Sequence, residues 1–169
     1  MTDETAALKS VIKEKNIKNE EASVEEIYNI GGAELEIMAP VKKYDDSNDS
    51  SVVIKLTYKD HSFLFCGDIE KDAEKDICDS GADISADVLK VAHHGSATSS
   101  SEDFLDEVSA DYAVILTGPD KNNLPRAEVL NRLESYGMDI LRTDHDGTIL
   151  FSSDGKNMDI LTEKRGRYK

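Results

Sequence analysis

The run from Tyr112 to Leu116 inside Asp111–Thr117 (DYAVILT) has no polar break. A strand that is apolar at successive positions is covered on both faces, because neighbouring side chains point to opposite sides of a sheet. The chain must therefore place material on both sides of at least one sheet, which predicts a layered α/β architecture. The rest of the pattern agrees. Thr2–Lys15 reads as a helix with Leu8, Val11 and Ile12 on one face and Thr2 or Asp3 as its cap, and Asn16–Ser23 as a loop. In Ala33–Met38, Leu35 and Ile37 alternate with Glu34 and Glu36, the two-residue period of a half-buried strand. Pro40–Ser51 reads as an acidic loop. Val52–Tyr58 and Ser62–Cys66 follow as strands joined by a turn at Lys59–His61.

Further along, Glu70–Cys78 reads as a helix with Ala73 and Ile77 inward, and Asp87–Ala92 as a strand. Ser99–Val108 reads as a helix, with Ser99 and Glu102 spaced as a capping box. Pro125–Tyr136 is helical, with Leu130 and Leu133 on one face and Gly137 suited to its end. Met138–Leu141, Thr148–Ser152 and Met158–Thr162 read as a closing meander, with Asp146-Gly147 and Asp154-Gly155 as turns. No internal repeat or linker divides the 169 residues, so the pattern predicts one domain.

Charge narrows the partners. A net charge of −15 opposes binding to a phosphate backbone, so duplex nucleic acid is disfavoured as a partner of this chain. The basic tail, Lys164 to Lys169, reads as a frayed, solvated end. No apolar run is long enough for a membrane span, and MTDETAALK is unlike a signal peptide. Cys66, in the apolar run SFLFC, reads as a core residue; with Cys78 it defines neither a disulfide framework nor a thiolate zinc site. None of this fixes a compartment.

Two strand ends carry candidate chemistry. In Cys66-Gly67-Asp68-Ile69-Glu70 an apolar strand runs into an aspartate, and in Val91-Ala92-His93-His94-Gly95-Ser96 another runs into paired histidines. Ligands commonly bind at the C-terminal ends of strands in open α/β sheets. Imidazole and carboxylate together suit Zn²⁺, Mn²⁺ or Fe, and a carboxylate can bridge two metals. Each motif alone also fits a structural role: Asp68 as a helix cap, the histidines as surface groups. Residues that alternate along a strand diverge, so His93 and His94 face apart unless the chain turns between them. His61 reads as a solvent-exposed turn residue, and His145, between Asp144 and Asp146, as part of a polar turn.

These motifs, with Gly31–Ile37, Asn48–Val53, Asp87–Ser96 and Arg142–Gly147, resemble the metallo-β-lactamase domain of ComEC-type competence proteins and their stand-alone hydrolase relatives. The resemblance runs from about Ile30 to Gly155. It implies that the chain is the C-terminal part of an αββα sandwich and that its parent is a metal-dependent hydrolase. Such a parent uses two divalent metals, zinc or manganese, on a small ester or phosphodiester. Carried over, Asp68 is the metal-bridging carboxylate. The His93-His94 pair supplies one metal ligand and one active-site donor, taken here with His94 as ligand and His93 as catalytic donor. The reverse assignment stays open.

Three departures bear on function. The fold's His-x-His-x-Asp-His cluster is nowhere in the sequence. Leu124-Pro125-Arg126 stands where relatives often carry His-Pro-His, and Asn48 where many place another ligand histidine. The chain alone is therefore expected to bind metal weakly or not at all, to be inactive, and to leave apolar strand faces exposed or self-covered, which favours self-association. The alternatives are a non-catalytic scaffold that keeps the fold, or the DNA-processing domain of a competence protein.

Overall fold

Alternating apolar positions organise most of the chain into one mixed sheet. The computed structural model describes residues 3–118 and 123–168. Strands β1 (Ile27–Ile30), β2 (Ala33–Ala39), β3 (Val53–Tyr58) and β4 (His61–Phe65) form an antiparallel meander. Strands β5 (Val88–Lys90), β6 (Tyr112–Ile115) and β7 (Asp139–Arg142) extend it in parallel, so the seven strands lie in chain order. Parallel neighbours need a crossover. These are helices α2 (Lys71–Ser80), α3 (Glu102–Val108) and α4 (Ala127–Ser135).

All three crossover helices cover the same face. Ala73 and Ile77 of α2, Phe104, Leu105 and Val108 of α3, and Val129 and Leu133 of α4 pack with Val53, Leu64, Leu89, Ala113 and Ile115 in one buried cluster. Tyr112–Ile115 is largely buried as its unbroken apolar run predicts, whereas Leu116 just beyond it is 43% exposed. Cys66 is fully buried, and both cysteines are free.

The other face is only partly covered. Strands β8 (Ile149–Ser153), β9 (Met158–Thr162) and β10 (Gly166–Arg167) form a separate antiparallel sheet. Phe151 meets Phe63 and Tyr112 edge-on, which seats this small sheet on the large one. Beside it runs an open trough of roughly 540 Å³ lined by Leu56, Phe63, Phe65, Leu116 and Ile149.

Several expectations need correction. Met138–Leu141 is not part of the closing meander: as β7 it completes the large sheet. The Asp146-Gly147 turn is preceded by a helical turn, α5 (Thr143–Asp146). Strand β1 was not expected at all, because its residues are exposed throughout and carry no burial period. Asp3–Glu14 is the helix α1, but Leu8 and Val11 are exposed, so its apolar face lacks a core to join. Of its expected caps, Thr2 lies outside the described residues. The tail is not frayed over Gly166–Arg167: Lys164 donates to the Asp144 carbonyl, Arg165 pairs with Asp146 at 2.6 Å, and Arg167 pairs with Asp159. Lys169 lies outside the described residues.

The expected Ser99–Glu102 capping box is replaced by a longer-range device. Ser99 Oγ donates to the Ile69 carbonyl, and α3 begins after Ser101 without a side-chain cap of its own. Glu74, fully buried on α2, accepts from the Ser100 and Ser101 amides at 2.5 and 2.8 Å. Arg132 of α4 donates to the Ser100 carbonyl at 2.6 Å. Burial pushes the Glu74 carboxyl above its usual range, while the two amides and Arg132 pull it back. Replacing Glu74 with Ala leaves the buried Ser100 amide and the half-buried Ser101 amide without their acceptor and removes the negative charge that faces Arg132. It should destabilise the fold by about 3 kcal/mol, as losing one partner of a buried network does, measured as a lowered urea midpoint at unchanged slope. The open trough makes a separate prediction: the folded chain should bind the apolar dye ANS, and Phe65→Ser should weaken that binding without moving the urea midpoint downward.

Candidate functional site

The two predicted motifs end adjacent parallel strands, β4 and β5, and so face each other. After Phe65 the chain turns through Gly67, at φ +54°; a Cβ there would lie 2.8 Å from Ser51 Cβ, so the approach of the Asn48–Ser51 loop requires glycine. The Asp68 amide donates to Ser51 Oγ at 3.2 Å, and Asp49 accepts from the Glu70 amide at 2.9 Å. The acidic Pro40–Ser51 loop thus acts as the bed on which Gly67–Glu70 is shaped.

The β5 end is more constrained. Val91 still donates to the Val114 carbonyl at 2.9 Å. His93, His94 and Gly95 then follow at φ +46°, +54° and +80°, three successive residues in the left-handed region. For a non-glycine residue that region costs on the order of 1–2 kcal/mol. The turn is held by His93 N–H to the Gly67 carbonyl (3.1 Å), Ser96 N–H to the His93 carbonyl (2.9 Å) and Arg126 N–H to the Gly95 carbonyl (2.9 Å). Gly95 packs so closely on Pro125 that a Cβ would fall 2.5 Å from the proline's own. The expected strand Asp87–Ala92 is therefore shorter, ending at Lys90, and the divergence of the two histidines comes from this turn. Their ring centroids are 6.5 Å apart at 66°.

The turn gives each ring a different environment. His94 Nδ1 lies 2.6 Å from the Leu116 carbonyl oxygen, which can only accept, so Nδ1 carries the proton and Nε2 presents its lone pair. That Nε2 stands 3.7 Å from Asp68 Oδ1. Two ligands at about 2.0–2.1 Å from one tetrahedral ion are themselves roughly 3.3 Å apart, so this pair fits two positions around a metal. His93 faces the other way. Its Nδ1 is shielded from water and lies 3.1 Å from Glu70 Oε1, close but poorly aligned, so no well-formed hydrogen bond joins them. The same Glu70 oxygen accepts from Asn48 Nδ2 at 3.1 Å.

Among the described residues, no three His, Cys, Asp or Glu side chains converge as a metal cage.

Asp68, His93 and His94 are thus brought together, with three residues beside them to which the sequence assigned no contact in the site. Glu70 and Asn48 contact His93's surroundings; Lys90 donates to the Gly67 carbonyl at 2.8 Å, with its ammonium 4.0 Å from Asp68 Oδ1. Burial holds the Lys90 ammonium below its ordinary pKa, with Asp68 opposing that shift. One signal for Glu70 was available. Glutamate is a poor residue at a helix N-cap, and Glu70 occupies that position on α2 without capping it, which marks a side chain engaged elsewhere.

The remaining histidines lie apart. His61 is not in the turn: it pairs with Tyr58 as the first residue of β4, and its Nδ1 lies 2.6 Å from Ser153 Oγ. That partner is distant in sequence, so no local pattern announced it. His145 sits in α5 with its ring largely in water, 3.9 Å from Asp144.

The model of the metallo-beta-lactamase superfamily matches residues 9–118, and the chain, with its large mixed α/β sheet, belongs to that family. Three proteins illustrate its relationships. It is 33% identical over 143 residues to ComE operon protein 3 of Bacillus subtilis (strain 168), covering 82% of this chain and 18% of that protein. It is 33% identical over 123 residues to competence protein ComA of Neisseria gonorrhoeae, covering 71% and 18%. Recombination protein 2 of Haemophilus influenzae is 34% identical over 122 residues, covering 70% and 15%. The chain spans less than a fifth of the length of each of these relatives.

The Leu116 contact predicts the state of the His94 ring. Long-range ¹H–¹⁵N spectra near neutral pH should show neutral His94 protonated on Nδ1, the tautomer less common for free histidine. An Nε2-protonated ring would mean that the carbonyl contact is not made in solution.

Proposed function

We propose that this chain is part of the catalytic domain of a metal-dependent phosphodiesterase of the competence type. The observation that carries the reading is the Asp68–His94 pair, a carboxylate and an oriented imidazole lone pair at ligand spacing across two strand ends. The competence relatives support the cellular context. A divalent metal held by Asp68 and His94, with further ligands from outside these residues, would lower the pKa of bound water and polarise the phosphoryl oxygen.

The chain's own residues do the rest. The Leu116 carbonyl orients His94, and Ser51 positions Asp68 through its amide. His93, with Nδ1 toward Glu70, directs Nε2 away from that carboxylate and donates a proton to the leaving oxygen. Glu70, bonded by Asn48, stands 3.1 Å from His93 Nδ1, near enough to pair with the ring while it carries the proton it donates. The charge of −15 favours a short or small phosphodiester at this surface over an extended duplex, whose grip needs cations. A scaffold that keeps the fold without metals is the second reading; it rests on Leu124-Pro125-Arg126 and on the two-donor site.

The test compares variants of the native protein that carries this chain, by elemental analysis beside turnover of bis(p-nitrophenyl) phosphate. Asp68→Ala and His94→Ala should each lower metal content and abolish turnover. His93→Ala should keep the metal while turnover falls by roughly 10²–10⁴-fold, the usual contribution of a positioned proton donor. Full metal and full activity in both histidine variants would make the pair structural and leave the scaffold reading standing.

A further inference from the structure

The Gly67 carbonyl oxygen accepts two hydrogen bonds from different places. One comes from the His93 amide at 3.1 Å, the other from the Lys90 ammonium at 2.8 Å. It therefore joins the loop that carries Asp68 to the turn that carries His94. Neither segment has regular backbone pairing of its own, and both pass through left-handed residues. Lys90 is also the charged member of the trough wall. Its side chain, only 15% exposed, runs among Phe65, Val88 and Val114 and brings its ammonium 4.0 Å from Asp68 Oδ1. The surroundings of Asp68 are otherwise acidic: Asp49 lies behind the Glu70 amide, and Glu70 itself is two residues away.

We infer that Lys90 is a positioning residue that sets Asp68 opposite His94. It does this by clamping the Gly67 carbonyl from beneath and by offsetting the repulsion among the neighbouring carboxylates. The inference rests on the proposed metal site for its functional meaning but not for its geometry. A cation beside a metal-binding carboxylate also repels the metal, so the two effects have opposite signs. The clamp predicts weaker metal binding when the ammonium is removed, and simple repulsion predicts tighter binding.

The experiment uses the full chain as wild type, Lys90→Met and Lys90→Arg, with two readouts by NMR. Amide hydrogen exchange is compared at Asp68 and His93, with Val91, bonded to Val114 of the next strand, as the internal reference. In Lys90→Met, exchange at Asp68 and His93 should quicken at least tenfold while Val91 is unchanged. Lys90→Arg, which keeps a cation and donors, should stay within threefold of wild type. A general loss of folding would quicken Val91 as well, and the Arg variant then decides: it must retain the wild-type protection at Asp68 and His93.

The second readout is paramagnetic broadening by Mn²⁺, which detects weak binding. Asp68 and His94 signals should broaden first in wild type, and Lys90→Met should need at least ten times more Mn²⁺ for the same effect. Unchanged exchange at Asp68 and His93, or tighter Mn²⁺ binding in Lys90→Met, overturns the inference. Absence of selective broadening in wild type instead counts against the metal reading, and the exchange data still decide the role of Lys90.

Discussion

The candidate site depends on a backbone constraint before it depends on any side chain: three consecutive left-handed residues at His93, His94 and Gly95. Two of the three are not glycine, so the conformation is unfavourable locally and persists only because its surroundings fix it. Gly67, Ser96 and Arg126 supply backbone partners, and Pro125 closes the space beside Gly95. A straight continuation of β5 would have sent the two rings to opposite faces of the sheet. The turn instead leaves one ring looking at Asp68 and the other at Glu70.

Around that turn the protein uses carboxylates as backbone organisers. Asp49 holds the start of α2, and Glu74 holds the start of α3. Asp146, 1% exposed, accepts from the Arg142 amide at the end of β7. Each satisfies backbone donors that a loop or helix start leaves without intrahelical partners. A chain with 35 acidic residues thus spends some of its negative charge inside, as structure, rather than only on its surface.

Periodicity made most of the fold legible, because strands β2 to β6 and helices α2 to α4 each have a side that must be buried. It failed where burial carries no period. Strand β1 is exposed along its length, and α1 has an apolar face with little to cover it. The split between β7 and the closing sheet was hidden as well, since a short strand does not declare which sheet it joins. At the site, Asp68, His93 and His94 stood out by residue type and position. The contacts of their partners did not: Glu70, Asn48 and Lys90 reach the site across 20 or more positions, such as the 22-residue separation between Asn48 and Glu70.

The Leu116 carbonyl shows how closely the site is tied to the sheet. In parallel pairing the β5 amides meet β6 carbonyls two residues apart, and Val91 with Val114 is the last such bond. Continued by one step, the His93 amide would fall on Leu116. The chain withdraws that amide to Gly67, and the His94 ring supplies an N–H to Leu116 in its place. The imidazole therefore stands in as the next rung of the ladder, aimed by the same spacing that sets the strands. Its free nitrogen inherits its position from the sheet, and sliding β6 along β5 would carry His94 with it.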